Sequence, residues 1–109
     1  MYIHVPFDEA VLRLQRSRGL VLEHLLLLTE SMEAEILVEN PLRREGFKRL
    51  LTEVFVTKPE WSRELAESMA YNITSVRQWY LSPSCPHSAL WPQIITWLKA
   101  RIETAMHSC

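Results

Sequence analysis

A chain of 109 residues, 48% of them apolar, suffices for one domain with a core of moderate size. Two cysteines exclude a disulfide scaffold, and a formal net charge of −1 excludes a protein that holds nucleic acid by bulk charge alone. The charge is unevenly spread: residues 1–40 hold three basic and seven acidic side chains, and residues 41–109 hold nine basic and six acidic.

The opening residues lack the basic flank and apolar centre of a secretory signal. The longest apolar run, residues 20–28, is interrupted by Glu23 and His24 and is too short to cross a bilayer. These features predict a soluble protein of the reducing cytoplasm with no membrane contact. Long runs of Leu, Glu, Arg and Ala, with only two glycines, favour an all-α chain.

Residues 2–7 suit a short extended arm, because Pro6 disfavours helix before it. Asp8 can cap a first helix over about residues 9–16, which Gly19 can end. A second helix follows over 20–38. Val21, Leu25, Leu28, Met32 and Ile36 form one stripe on it, and Leu22, Leu26 and Leu37 form another beside it. An arc that wide buries more than one side. Either this is the central helix of a small bundle, or its second stripe meets another chain. The candidate dimer or partner interface is therefore Val21, Leu22, Leu25 and Leu26. Asn40-Pro41 breaks the pattern and separates an N-terminal helical hairpin, residues 1–40, from residues 41–109.

An amphipathic helix is expected over 42–56, with Phe47, Leu50, Leu51, Val54 and Phe55 on one face and Arg43, Arg44, Lys48 and Arg49 largely outside it. Thr57 and Glu60 have capping-box spacing, and Pro59 suits a first turn. Trp61, Leu65 and Met69 line the inner face of the next helix. A turn at 70–72 leads into a short helix over 73–81. Two prolines make 82–88 a loop. Ser88 can then cap a last helix of about 18 residues, whose inner stripe is Trp91, Ile94, Ile95, Leu98 and Ile102. Trp97 lies off that stripe and joins the interface candidates.

Residues 57–81 carry the functional reading. Leu65, Ala66, Met69, Ala70, Val76 and Trp79 are apolar where two crossed helices must touch. Ala66 is small where the second helix crosses, and Val76 and Trp79, three apart, anchor that helix. Asn72, Ile73, Thr74, Ser75, Arg77 and Gln78 occupy its remaining faces. The segment LAESMAYNITSVRQW, residues 65–79, followed by a polar proline-containing loop and a closing helix, resembles the lambda repressor and Cro-like (Xre-type) helix-turn-helix family over about residues 42–102. Ala70 stands where that family usually has a turn glycine.

The resemblance implies a transcriptional regulator, for instance a repressor, that sets its second helix in the major groove of double-stranded DNA. Gln78 suits adenine, Arg77 guanine and Ile73 a thymine methyl group, while Asn72, Thr74 and Ser75 serve base edges or phosphates. Arg44, Lys48, Lys58 and Arg63 are the candidate phosphate contacts. Proteins of this size gain affinity by forming a homodimer on a palindromic operator. The competing expectation is a protein-interaction module, such as an adaptor, anti-activator or antitoxin, that grips its partner with the leucine-rich N-terminal region.

Other chemistry is not expected. Cys85-x-His87 and His107-x-Cys109 offer zinc-type ligands, but a straight helix of 18 residues is about 27 Å long and keeps the two pairs apart. The same distance opposes a Cys85–Cys109 bond within one chain. His4, His24, His87 and His107 sit in separate elements, and no glycine-rich phosphate loop is present. No enzyme activity, cofactor or metal is predicted. The fold expected is a compact all-α domain of five or six helices containing a helix-turn-helix.

Overall fold

The computed structural model describes residues 7–38 and 43–108, with side chains described from Gly19 onward. Among these residues there is no strand. The helices are α1 (Phe7–Glu35), α2 (Arg43–Thr57), α3 (Glu60–Met69), α4 (Ile73–Leu81) and α5 (Trp91–His107), with a single 3-10 turn over Ser88–Leu90 leading into α5. Residues 2–6 of the expected N-terminal arm, the Asn40-Pro41 break and Cys109 lie outside the described residues, whereas Phe7 is already the first residue of α1, so Asp8 stands inside that helix rather than capping it.

The hairpin expected before residue 40 is instead one helix. α1 runs for 29 residues straight through Gly19. A glycine inside a helix costs about 1 kcal/mol relative to alanine, which the Leu, Arg, Gln and Glu residues around it outweigh. Gly19 has no positive φ, and a Cβ built there meets nothing within 4 Å, so neither a turn nor a close approach calls for it. The helix stops at Glu35, where Leu37 N–H donates to Ala34 C=O and Val38 N–H to Glu35 C=O, tightening the last turn.

One core joins all five helices. α1 packs on α5 and α2, and α4 packs on α2 and α3. Phe47, Leu51 and Val54 from α2, Leu65 from α3, Val76 from α4, and Ile94, Leu98 and Ile102 from α5 are fully buried. α1 adds Leu22, Leu25 and Met32, and its buried Thr29 hydroxyl donates to Leu25 C=O at 2.7 Å. Leu22 and Leu25 are therefore core residues rather than an interface. They face inward because α5 and α2 cover that side of the helix. Leu26 and Trp97 are half-buried and packed against the same core, which leaves only part of each to a partner.

Trp91 fixes the start of α5. Its ring stacks on Phe47 with centroids 4.6 Å apart, and its indole N–H donates to Pro86 C=O at 2.9 Å. α5 begins there rather than at Ser88, with Pro92 in its first turn, where a missing N–H costs nothing. The expected capping box at Thr57 does not form either. α2 continues through Thr57, and the Ser62 hydroxyl donates to Pro59 C=O within the first turn of α3.

Candidate nucleic-acid interface

The turn between α3 and α4 sets the presentation of α4. Ala70 has φ 57° and ψ 36°, the left-handed conformation. Tyr71 N–H donates to Ala66 C=O at 2.8 Å and Ala70 N–H to Glu67 C=O, which is the Schellman arrangement that closes a helix. Alanine in this conformation is strained by about 1–2 kcal/mol, and glycine relieves that at some cost in unfolded-chain entropy. Ala70 is exposed, so nothing is lost in packing. Ala70→Gly is expected to raise stability by about 1 kcal/mol, read as a higher urea midpoint with unchanged slope.

Asn72 then caps α4, its side-chain oxygen accepting from Thr74 N–H at 2.8 Å. That oxygen is committed to the fold, which leaves its amide N–H groups, not the whole side chain, for a ligand. Val76 and Trp79 are buried as their spacing requires, and Tyr71 meets the Trp79 ring edge-on at 5.5 Å. Ile73 is half-buried and packs against the core, and Ser75 is half-buried, so both point less outward than a base-reading side chain needs. Thr74, Arg77 and Gln78 are exposed. Leu81, not among the sequence candidates, joins them at 71% exposed. Residues 74, 77, 78 and 81 follow the spacing that places four side chains on one helix face. That spacing was the signal available for Leu81.

The C-terminal end of α4 is held from α2. The Lys48 ammonium donates to Trp79 C=O at 2.9 Å, to Ser82 C=O at 2.7 Å and to Ser84 C=O. An ammonium has three protons, and all three are used. Lys48 is thus a structural clamp at the negative end of a helix rather than a phosphate contact. Arg44 donates to Pro83 C=O at 3.0 Å, which ties part of its guanidinium to the same loop. Lys58 is half-buried, and Arg63 is exposed.

No family model matches this chain, and neither the curated proteins nor the solved structures contain a match.

Two acidic residues of α3, Glu64 and Glu67, lie on different sides of it, and Glu60 at its start is exposed. Glu64 accepts from Arg101 of α5 at 3.2 Å, and Arg101 also lies 4.7 Å from the centre of the Trp61 ring. That pairing draws Glu64 toward α5. Glu67 and Arg63 line a shallow crease of about 270 Å³ with Ala66, Tyr71 and Ile73, beside the N-terminus of α4. Arg63 therefore supplies a positive charge there, which Glu67 partly offsets.

Cys85 lies in the loop after α4, half-buried. Burial pushes its thiol pKa above the ordinary value, against the opposing pull of the Arg44 and Lys48 charges. A raised thiol pKa means less thiolate at neutral pH. In a Cys109→Ser background, Cys85 is expected to alkylate with iodoacetamide at pH 7.5 more slowly than a free cysteine peptide, the difference vanishing in denaturant. Among the described residues no group of three or more His, Cys, Asp or Glu side chains converges as a metal site, and no helix is long and apolar enough to cross a membrane.

Proposed function

We propose that this chain is a transcriptional regulator that binds duplex DNA through the outer face of α4. The observation that carries the reading is the row Thr74, Arg77, Gln78 and Leu81, exposed together on a helix that Val76 and Trp79 anchor from beneath. A short helix held out by its neighbour and bearing hydroxyl, guanidinium, amide and methyl groups matches the chemistry of base edges in a major groove. Arg77 pairs with guanine O6 and N7, and Gln78 with adenine N6 and N7. Leu81 takes the apolar contact with a thymine methyl group that Ile73, partly buried, is less able to make. Arg63 and the free part of Arg44 serve phosphates.

The test is a fluorescence titration of the purified chain against the DNA upstream of its own gene, and against a random duplex library, at two salt concentrations. Binding that weakens with salt supports the reading, because phosphate contacts release counterions. Absence of binding to both DNAs overturns it. The second reading, a protein-interaction module, then gains ground on a separate observation, the exposure of Leu20, Val21 and Leu27 on α1.

A further inference from the structure

The facing sides of α1 and α2 do not close completely. Over the last two turns of α1 they leave an open cleft of about 240 Å³. Leu28, Ser31, Met32 and Glu35 form its α1 wall, at the spacing that puts four side chains on one helix face. Gly46, Arg49 and Leu50 form its α2 wall. The floor is apolar, with Met32 and Leu50 buried and Leu28 half-buried, whereas Ser31, Glu35 and Arg49 are exposed at the rim.

Gly46 decides where the charges lie. It sits inside α2 with no positive φ, a place where alanine is the better helix former. A Cβ built there comes within 3.4 Å of Glu35 Oε2 and of Met32 Sδ. The Glu35 carboxylate therefore lies against α2 at Gly46, in the cleft. Arg49 is one turn further along the same face of α2. Yet among the described residues neither Glu35 nor Arg49 forms an ion pair or a side-chain hydrogen bond. An anion and a cation share one apolar floor without pairing.

We propose that this cleft binds a free apolar L-α-amino acid, of the class of leucine and methionine. The ligand's ammonium donates to the Glu35 carboxylate, and its carboxylate accepts from the Arg49 guanidinium and the Ser31 hydroxyl. Its side chain covers Leu28, Met32 and Leu50. Size agrees with this choice. Sites for drug-sized ligands hold roughly 300–1,000 Å³, so a smaller cleft takes a smaller molecule. Charge agrees as well. A fatty acid would leave Glu35 facing a carboxylate, and a simple amine would leave Arg49 without an anion. The site is remote in sequence from α4, does not depend on the DNA reading, and is tested without DNA.

Amide NMR of the isotope-labelled full chain, titrated with L-leucine, reads the result. The chain has two glycines, so Gly46 reports from the cleft and Gly19 serves as the control outside it. Saturable movement of the Gly46 signal is expected, with a dissociation constant of about 0.1–10 mM for so small a ligand. Isocaproate, which lacks the ammonium, and isoamylamine, which lacks the carboxylate, should each bind at least about tenfold more weakly. Glu35→Gln and Arg49→Gln, both at exposed positions, should weaken leucine binding by a similar factor with an unchanged circular dichroism spectrum. No saturable movement at Gly46 up to about 50 mM leucine overturns the proposal. Isocaproate or isoamylamine binding as tightly as leucine overturns it too, since one of the two charges then plays no part. So does a leucine affinity indifferent to Arg49→Gln.

Discussion

Lys48→Met is expected to destabilise the fold by about 2–3 kcal/mol, the range for hydrogen bonds made by a charged donor. For a domain of this size that lowers the melting temperature by roughly 10 °C or more. The reason lies in what the ammonium holds. Trp79 C=O is one of the last carbonyls of α4, and Ser82 and Ser84 lie in the loop that follows. Methionine keeps the length and apolar stem of lysine, so the change removes the donor and leaves the packing. The carbonyls of Trp79, Ser82 and Ser84 then lose a common partner, and the loop loses the contact that ties it to α2. Lys48→Arg is expected to recover only part of the loss, because a planar guanidinium fork does not reproduce three bonds diverging from one nitrogen. Thermal unfolding followed by circular dichroism checks both. A second readout separates this role from the phosphate contact expected from sequence. Below its own unfolding range, Lys48→Met should bind DNA with the native salt slope. A phosphate contact would instead lower that slope by about one.

The short helix α4 was readable from residues because each of its signals is local. A turn at 70–72 precedes it, Val76 and Trp79 stand three apart, and Ser82-Pro83 follows its end, so the sequence predicts residues 73–81; the structure has Ile73–Leu81 and adds Asn72 as the cap. The left-handed turn at Ala70 is likewise set by neighbours in the chain. Lys48 is the opposite case. Its partner at Trp79 lies 31 residues away, and no local pattern distinguishes a lysine that clamps a helix end from one in solvent. The α1 face failed for another reason. Leucines cover so much of its circumference that periodicity cannot say which row is inner until α5 and α2 are placed, and they bury Leu22 and Leu25 while leaving Leu20 and Leu27 outside. At Gly19 the local rule of helix ending lost to the good helix formers on either side. At Thr57 it lost to α2, which runs on through the intended cap.

Arg77→Ala/Gln78→Ala should leave the fold intact and abolish most sequence-specific DNA binding. Both side chains are exposed, and neither makes a hydrogen bond through its side chain to the described core. Stability is therefore expected to change by no more than about 0.5 kcal/mol. Each bidentate contact with a correct base is worth about 1–3 kcal/mol, so losing both weakens binding to the preferred site by about 30-fold to 10⁴-fold. The loss must depend on sequence to carry the argument. Gln78→Ala alone should relax the preference at one base pair, and Arg77→Ala alone at a neighbouring one, with binding to random duplex little changed. A uniform loss across all sequences would reassign Arg77 to the phosphates and strip α4 of its reading role. Full retention of affinity by the double variant would remove α4 from the interface altogether, since no other row on that helix is as exposed as the one these two residues occupy.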